Sequence, residues 1–481
     1  MENKDLKKID DVTWEIPKSE GMKVPGRIYA SEKLLKQILK DESIKQVKNV
    51  ACLPGVVGYS MAMPDIHWGY GFPIGGVAAT DVRTGVISPG GVGYDINCGV
   101  RLIRTELKYE EIKGKIKDIV AALFNAIPTG VGSHGAIKKL SKGEVRKVLL
   151  NGARWAVEHG YGDASDLRFI EEGGMMDGAD PEVVSNRAYE RGAPQLGTLG
   201  SGNHFVEISV VRDIYNGRVA NILGLRKGQV VILIHTGSRG LGYQICDDYL
   251  KVTLNAVKKY GINIPDRQLA CAPIESKEGQ DYIAAMKAAA NFAFANRQVI
   301  SSLVRDALLQ TLNISLNQLG FKLVWDIAHN IAKIEEHEWE GRKIKVCVHR
   351  KGATRAFGPG SSDIPDEYKD IGQPVLVPGD MGTESYVCVG TEKAMKETFG
   401  SSCHGAGRVL SRRQAKQKSS GISLEKEMEK YGVYILADTR GTIAEEMPYA
   451  YKDVTEVVNT MNKAGIVKKV ARFTPIGVIK G

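Results

Sequence analysis

The sequence lacks the long apolar runs and biased segments that mark membrane, fibrous or disordered proteins. No apolar stretch approaches the roughly 20 residues that span a bilayer. The charged start "MENKDLKKIDD" has no apolar segment of the signal-peptide kind, so we expect a cytoplasmic protein that does not contact a membrane. No repeat or low-complexity linker divides the 481 residues. We therefore predict a single domain over residues 1–481.

Cysteine is scarce and shows no pairing pattern. The seven Cys lie at positions 52, 98, 246, 271, 347, 388 and 403, and no CxxC occurs. An odd number at scattered positions argues against a disulfide framework and against a Cys-rich zinc module. A functional Cys is expected to act singly, as a thiolate ligand or a nucleophile. A GxxxxGK[ST] stretch is also missing, which excludes a P-loop nucleotidase.

Positive charge is in modest excess. The net charge is +9 and the isoelectric point is near 8.9. This excess is compatible with a polyanionic partner such as nucleic acid, but it is too small for this length to require one.

Helix and strand patterns occur together along the chain. Apolar residues at helical spacing predict a long Ala-rich helix over 281–312 and shorter helices over 423–432 and 456–465. Continuous β-branched runs predict buried strands over 230–235, 322–330, 343–350, 374–379 and 385–390. The expected fold class is α+β, with sheets and helices mixed in one large domain.

Five side chains of metal-ligand type follow strands or glycine turns. His204, His235 and His329 lie at such positions, and "GGVGYDINCGVRL" places Asp95 and Cys98 three apart between glycines. Nitrogen, oxygen and sulfur donors together suit Mn, Zn, Co or Ni better than Mg or Ca. A bridging thiolate with five ligands would support two metals, each with positions open to substrate oxygens.

Each of these residues also has an ordinary structural explanation. A His at a strand end is commonly a satisfied structural side chain, and a buried free Cys is commonly inert packing. Asp95 could simply cap a turn. The hypothesis of a metal site therefore depends on the coincidence of all five donors.

Glycine-rich loops recur beside these donors. The stretches 198–204, 235–240, 377–386 and 403–408 can present consecutive backbone N–H groups to an anion. In "SSCHGAGR", His404 has only small neighbours, a setting that lets a bulky ligand reach its ring, although an ordinary loop His is the alternative. Basic residues follow the loops, which suggests a track for a phosphodiester backbone: Arg239, Arg350, Lys351, Arg355, Arg408, Arg412 and Arg413.

Seven stretches taken in order resemble the RtcB family of RNA-splicing ligases. They are "GGVGYDINCGVRL", "GSGNHFVEI", "HTGSRGLG", "WDIAHN", "VHRKGATRA", "PGDMGTESYV" and "SSCHGAGR". The resemblance extends over essentially the whole chain, to the closing "FTPIGVIKG". It implies largely antiparallel sheets surrounded by helices. It also implies GTP- and Mn-dependent joining of RNA ends, one a 3′-phosphate or 2′,3′-cyclic phosphate and the other a 5′-hydroxyl, as on tRNA halves. Archease accompanies many members as a partner.

The resemblance implies a role for particular residues. Asp95, Cys98 and His204 would hold one Mn, and Cys98, His235 and His329 the other, while His404 would be the nucleophile that is guanylylated. The implied guanylate pocket is Asn203, His204, Phe205, Val206, Glu207, His329, Asn330, Pro378, Gly379, Asp380, Met381, Ser385, His404, Gly405, Ala406, Gly407 and Lys480. The family often has Ser where this chain has Asp380, which puts the hydrogen-bonding role of that position in doubt.

Two other functions remain open from the residues alone. A dinuclear-metal phosphoesterase acting on nucleic-acid ends would need the metals and the arginines, but neither a nucleotide nor His404. An RNA-binding or chaperone protein would use the metals only for stability. Covalent labelling of the protein by GTP is expected for the ligase and for neither alternative.

Overall fold

A computed structural model describes residues 6–481 and shows two large sheets surrounded by helices. All strand pairs in these sheets are antiparallel except two, within the described residues. The α+β prediction with largely antiparallel sheets is therefore confirmed. Within residues 6–481, no helix combines the length and apolar character needed to cross a membrane.

The larger sheet has eight strands. Seven lie in the spatial order Lys322–Ala328, Gly99–Lys108, Gln229–Thr236, Phe205–Ile214, Val467–Lys480, Ser385–Gly390 and Pro374–Val377. The eighth, Tyr434–Ala437, runs parallel to the end of Val467–Lys480.

The second sheet has seven strands. Their spatial order is Lys7–Lys8, Thr13–Ile16, Gly26–Tyr29, Val56–His67, Ile74–Asp81, Arg342–Lys351 and Asn330–Trp339. Residues 6–481 also contain two short two-stranded ribbons: Val86–Ile87 with Ala272–Pro273, and Ala353–Arg355 with Ser401–Cys403.

The α-helices cover the sheets. They are Glu32–Ile38, Ser43–Val50, Tyr109–Ile112, Ile116–Ala126, Lys142–Asn151, Ala153–Glu158, Asn186–Gly192, Gly217–Ile222, Arg239–Lys259, Lys277–Leu312, Leu316–Leu319, Glu392–Glu397, Arg412–Lys418, Leu424–Lys430, Arg440–Glu445 and Val454–Lys463. The longest of them, Lys277–Leu312, begins at a Ser276 side-chain cap and ends at Asn313 in the left-handed conformation.

The strand Gln229–Thr236 shows why its sequence is apolar without interruption. Side chains alternate between the two faces of a strand. Val230, Ile232 and Ile234 enter the core that contains the long helix, whereas Val231 and Leu233 enter a second core on the other face. Because both faces are covered, every position must be apolar.

Most predicted elements are present, with shifted ends. The helix predicted over 281–312 begins earlier, at Lys277, and the strand predicted over 374–379 ends at Val377. The prediction of one strand over 322–330 is wrong, because the chain leaves one sheet at Ala328 and enters the other at Asn330. His329 lies at this crossing, and its backbone N–H donates to the Cys98 carbonyl (2.8 Å).

Candidate active site

Strand register brings the predicted metal ligands to one edge of the eight-stranded sheet. Gly99 pairs with Thr236 and with Ala328, and Phe205 pairs with His235. Cys98 and His204 immediately precede two of these strands, while His329 immediately follows a third. Because the strands are antiparallel, the beginnings of two and the ends of two meet at the same edge.

The donor atoms of the five side chains converge. They form two groups, Asp95–Cys98–His204 and Cys98–His235–His329, in each of which all ligand atoms lie within 4.8 Å of one another. The Cys98 sulfur is shared, and it lies 3.4 Å from His204 Nε2 and 3.3 Å from His235 Nε2. The arrangement therefore has the geometry of two adjacent cation sites that share one sulfur atom.

The protein environment keeps His235, His329 and Asp95 in the protonation state of a metal ligand, but not Cys98. Burial lowers the pKa of the His235 imidazole and of the His329 imidazole well below the usual histidine value. Both rings are therefore neutral and keep a nitrogen lone pair for a metal ion. Burial opposes ionisation of Asp95, but the hydrogen bond with His204 lowers its pKa to about 2. The Cys98 thiol has a raised pKa because of burial and the Asp95 carboxylate, so a bound cation is needed to make it a thiolate. The donor set fits a transition ion.

A buried ionic cluster stabilises the edge of the eight-stranded sheet that carries the five donor residues, here called the donor edge. Asp326 accepts hydrogen bonds from Arg101 Nε (2.7 Å) and from Arg297 Nη2 (2.8 Å), and all three side chains are almost completely buried. Arg297 also donates to the carbonyls of Asn97 and Thr236, which lie beside Cys98 and His235. Sequence analysis did not identify this cluster, because its members are far apart in the chain.

His404 is held by a carboxylate that the sequence analysis missed. His404 Nδ1 donates to Asp65 Oδ2 (2.7 Å), which also accepts from the backbone N–H groups of His404 and Gly405. Burial opposes ionisation of Asp65, yet the His404 contacts hold its pKa below the usual value. Since Nδ1 carries the proton, the lone pair is on Nε2. The signal available in the sequence was "MPDIH", an acid and a His at the end of the apolar strand Val56–His67.

Glycines allow close approach around this ring. Gly352 has φ +60°, and a Cβ there would lie 2.3 Å from the Ile74 side chain and 3.1 Å from the His404 ring. Gly407 has φ +73°, and a Cβ there would lie 2.1 Å from the Asp65 carbonyl oxygen. Glycine at 407 therefore allows the His404 loop to approach Asp65, and glycine at 352 leaves room for Ile74 and the His404 ring.

His404 and the donor edge share one cleft of about 780 Å³. The ring centroids of His404 and His329 are 4.8 Å apart. All five donor residues line this cleft. Most residues predicted for the nucleotide pocket also line it: Asn203, His204, Phe205, His329, Asn330, Pro378, Gly379, Asp380, Met381, His404, Gly405, Ala406, Gly407 and Lys480. All four glycine-rich loops contribute to it.

Comparison with known families decides the relationship of this chain. A family model described as "tRNA-splicing ligase RtcB" matches residues 46–481. The chain belongs to the RtcB family.

Relatives named "tRNA-splicing ligase RtcB" match over nearly their whole length. The protein of Archaeoglobus fulgidus is 56% identical over 478 residues, which is 99% of each chain. That of Thermococcus kodakarensis is 54% identical over 477 residues, again 99% of each chain. That of Methanococcus maripaludis is 52% identical over 476 residues, 98% of this chain and 99% of the relative.

Three residues expected in the RtcB-like pocket do not line the cleft: Val206, Glu207 and Ser385. Val206 points into the apolar core because neighbouring strand residues alternate between faces. Glu207 and Ser385 lie behind the cleft surface, with 3.5 Å between their side-chain oxygens. Burial raises the pKa of Glu207 to about 8. A direct contact of Glu207 and Ser385 with a nucleotide stays a prediction.

Lys480 and Asp380 are two charged residues that line the cleft. Lys480 ends the buried strand Val467–Lys480, and its Nζ donates to the Gly202 carbonyl (2.9 Å). Asp380 accepts from the Gly382 N–H (2.9 Å) and the Thr383 hydroxyl (2.8 Å) of its own loop. Burial raises the pKa of Asp380 to about 6. The Asp380 carboxyl thus shapes its loop in addition to facing the cleft.

The expected phosphodiester track is wrong for two of its arginines. Arg350 is fully buried and donates to Glu335 (2.6 Å) and to the Ser401 hydroxyl (2.8 Å). Arg355 is buried and donates to Glu172 (2.9 Å). A buried guanidinium requires an ionic partner, and strand alternation turns Arg350 inward while its neighbour Lys351 faces the cleft.

Four of the predicted basic residues do line the cleft: Arg239, Lys351, Arg408 and Arg412. Arg408 is paired with Glu446 (3.1 Å), whereas the Arg412 side chain is more than half exposed. Arg413 is exposed but does not line the cleft. The cleft therefore offers positive charge to an anionic ligand from fewer residues than the sequence suggested.

Proposed function

We propose that this protein is an RNA ligase that uses GTP to join a 3′-phosphate or 2′,3′-cyclic phosphate end to a 5′-hydroxyl end, with tRNA halves as natural substrates. Its relatives' shared name, tRNA-splicing ligase, supports the substrate class. The single observation that carries the chemistry is the oriented His404–Asp65 pair beside two donor groups that share Cys98.

His404 acts as the nucleophile in the first step. The Nε2 lone pair attacks the α-phosphorus of GTP, a P–N bond forms, and the P–O bond to pyrophosphate breaks. Asp65 holds the proton on Nδ1 and stabilises the positive charge that the ring gains. The small residues Gly405, Ala406 and Gly407 leave room for the nucleotide along this wall.

Two further phosphoryl transfers complete the reaction. A 3′-phosphate oxygen of RNA attacks the phosphorus of the His404-bound GMP, the P–N bond breaks, and an RNA-ppG end forms. The 5′-hydroxyl oxygen then attacks the RNA 3′-phosphorus and gives its proton to water; a P–O bond to the 5′ oxygen forms, and the pyrophosphate P–O bond breaks to release GMP. A cyclic phosphate end must first be opened by water. Activation of the 3′-phosphate fits the substrate, because a 5′-hydroxyl end has no phosphate to activate.

The five donor residues would hold two Mn ions. Asp95, Cys98 and His204 would bind one, and Cys98, His235 and His329 the other, with Arg297 fixing the loop that carries Cys98. When bound, the ions would supply positive charge for phosphate oxygens and lower the pKa of bound water. Archease is a proposed partner of the enzyme.

Two residues that line the cleft, Lys480 and Asp380, suit guanine. The edge of guanine presents an O6 acceptor together with N–H donors, while adenine presents a donor amino group at the corresponding position. Lys480 has only donors and Asp380 is an acceptor when ionised. A donor at Lys480 and an acceptor at Asp380, both lining the cleft, therefore favour GTP over ATP.

Labelling with GTP tests the nucleophile directly. Wild-type protein incubated with Mn and GTP labelled in the α-phosphate should retain label after denaturation. His404→Ala should lose the label and the joining of 3′-phosphate RNA, yet still seal RNA that already carries a 3′-ppG end. His159→Ala, which changes an exposed His that does not line the cleft, is the matched control.

The outcomes separate the candidate functions. A wild-type protein that never retains label, but hydrolyses RNA phosphate ends, would instead be a nucleotide-independent phosphoesterase. If His404→Ala fails equally with 3′-ppG RNA, a purely nucleophilic role for His404 is wrong.

Metal content tests the shared sulfur. Cys98→Ser should weaken both ions together, because it replaces the one ligand common to the two groups. Mn stoichiometry after gel filtration is the measurement, and Cys52→Ser, at a half-buried Cys outside the cleft, is the control. Two retained ions of unchanged affinity would contradict the bridging role.

A further inference from the structure

Lys452 is a buried cation that lies outside the cleft surface. It is 5% exposed and is not among the residues that line the cleft. It stands between Tyr451 and the helix Val454–Lys463. A lysine is rarely buried to this extent unless its ammonium has polar partners. The partners of Lys452 lie on the two segments that carry Asp65 and His404.

The Lys452 ammonium takes the place of a missing strand neighbour beside Asp65. Among residues 6–481, the pairing of strand Val56–His67 with its neighbours stops at Ala62 and resumes only at His67. The carbonyls of Pro64 and Ile66, on either side of Asp65, accept hydrogen bonds from Lys452 Nζ instead, that of Pro64 at 3.1 Å. Buried carbonyls need such partners, and one ammonium has donors enough for both.

The backbone of the same residue holds the loop that follows His404. The Lys452 N–H donates to the Gly407 carbonyl (2.8 Å), and the Val409 N–H donates to the Ala450 carbonyl (2.8 Å). The segment 450–452 therefore pairs with the segment 407–409 along the chain. Lys452 thus joins the strand of Asp65, through its side chain, to the loop of His404, through its backbone.

The positive charge of Lys452 also suits this place. Asp65 is completely buried, and a buried carboxylate requires nearby positive charge. Burial lowers the pKa of Lys452 to about 8, against the opposing effect of Asp65, so the ammonium is protonated at pH 7. While the His404 ring is neutral, Lys452 supplies positive charge close to the Asp65 carboxylate.

We propose that Lys452 is a positioning residue for the first phosphoryl transfer, because it fixes Asp65 relative to the His404 loop and so fixes the direction of His404 Nε2. This proposal rests on the proposed ligase function. Lys452 itself contacts neither the nucleotide nor the metals and acts through Asp65. Such a role matters for rate, since a misplacement of about 1 Å between reacting groups can slow a reaction about a hundredfold.

Labelling of the protein by GTP measures this step alone. The single-turnover rate is followed with Mn at increasing concentrations of GTP labelled in the α-phosphate. Lys452→Met keeps the backbone N–H and most of the side-chain volume but removes the ammonium. The maximal rate should fall about ten- to hundredfold, the usual effect of removing an outer partner of an active-site group. The GTP concentration that gives half of this rate should stay near the wild-type value.

Coupling to Asp65 distinguishes positioning from general support of the fold. Asp65→Asn should slow labelling by itself. Adding Lys452→Met to Asp65→Asn should slow it further by much less than Lys452→Met slows the wild-type protein, because residues that act as one unit are not additive. Lys463→Met, at an exposed Lys that ends the next helix and does not line the cleft, is the matched control and should label at the wild-type rate.

Sealing of RNA that already carries a 3′-ppG end bypasses His404 and reports the fold and the metals. In Lys452→Met, sealing should fall much less than labelling. Equal loss of both would make Lys452 a general stabilising residue and overturn the proposal. An unchanged labelling rate, or full additivity with Asp65→Asn, would overturn it as well. A wild-type protein that is never labelled would instead reject the ligase function itself.

Discussion

Two sets of basic side chains in this protein look alike in the sequence and differ in the structure. Arg297, Arg350 and Arg355 are buried and hydrogen-bonded to carboxylates. Arg412 lines the cleft with an exposed side chain, and Lys480 lines it from a buried strand end. The first set, the interior arginines, supports the strands around the donor edge, and the second, the cleft cations, is available to a ligand.

This difference shows that some basic side chains stabilise the fold while others are free to bind a ligand. A buried guanidinium cannot exchange its carboxylate for a phosphate, because the carboxylate would be left unpaired in a medium of low dielectric constant. Arg412 is exposed and loses little when it exchanges water or a weak ion pair for RNA, and Lys480, which is buried, is bound to the neutral Gly202 carbonyl and leaves no carboxylate unpaired. Substitutions should therefore affect stability in the first set and ligand use in the second.

The largest effect is expected for Arg297→Met. This change leaves Asp326 with Arg101 alone and removes the donors to the carbonyls of Asn97 and Thr236. The free energy of unfolding should fall by about 3–5 kcal/mol, as when one partner of a buried ion pair is lost. Urea denaturation measures it. For Arg154→Met, at an exposed helix position, the free energy of unfolding should stay within about 0.5 kcal/mol of the wild-type value. An equally small change for Arg297→Met would contradict the structural role of the interior arginines.

Glu172 should make the interior network sensitive to acid. Lys333 and, more weakly, Arg355 lower the pKa of Glu172 to about 2 against the opposing effect of burial. A lowered pKa gives stability that is present above about pH 4.5 and is lost as pH falls through about 2. Glu172→Gln should therefore cost about 2 kcal/mol near pH 7, and the difference from wild type should shrink between these values. Denaturant unfolding curves at several pH values measure the difference in free energy of unfolding between Glu172→Gln and wild type. A difference that does not change with pH would contradict this prediction.

Lys480→Ala should alter nucleotide choice more than stability. The guanine O6 acceptor would lose its donor at a desolvated site, a loss of about 1–3 kcal/mol. Labelling of the protein by GTP should weaken and the preference over ATP should narrow, while both ions stay bound. Side-by-side guanylylation and adenylylation rates measure it, with Lys468→Ala, exposed on the same strand, as control. An unchanged ratio would show that Lys480 does not contact the base.

The smallest effect is expected for Arg412→Ala. RNA affinity should fall linearly with salt concentration on a log–log plot, and the slope should decrease by about 0.7 if one phosphate contact of a single strand is lost. Arg413→Ala, at the neighbouring residue outside the cleft, should change the slope less. A salt-independent affinity for wild-type protein would reject backbone binding by the cleft cations.

Local patterns predicted much of the fold. The continuous run "VVILIH" predicts a strand covered on both faces, and Val230 to Leu233 indeed alternate between two cores. The Ala-rich helix was found for the same reason, since its periodicity is local. The crossing at His329 was missed, because two strands joined by one residue leave no turn signal between them.

The sequence by itself determined which residue types stand at strand ends and glycine loops, including Cys98, His235, His329 and His404. Such positions are local consequences of apolar runs and small residues. Only the tertiary structure decided which of these side chains meet: Asp65 is 339 positions away from His404, and Arg297 is 200 away from Asn97. It also decided that Arg350 turns inward while Lys351 faces the cleft, because burial depends on what packs against each strand face.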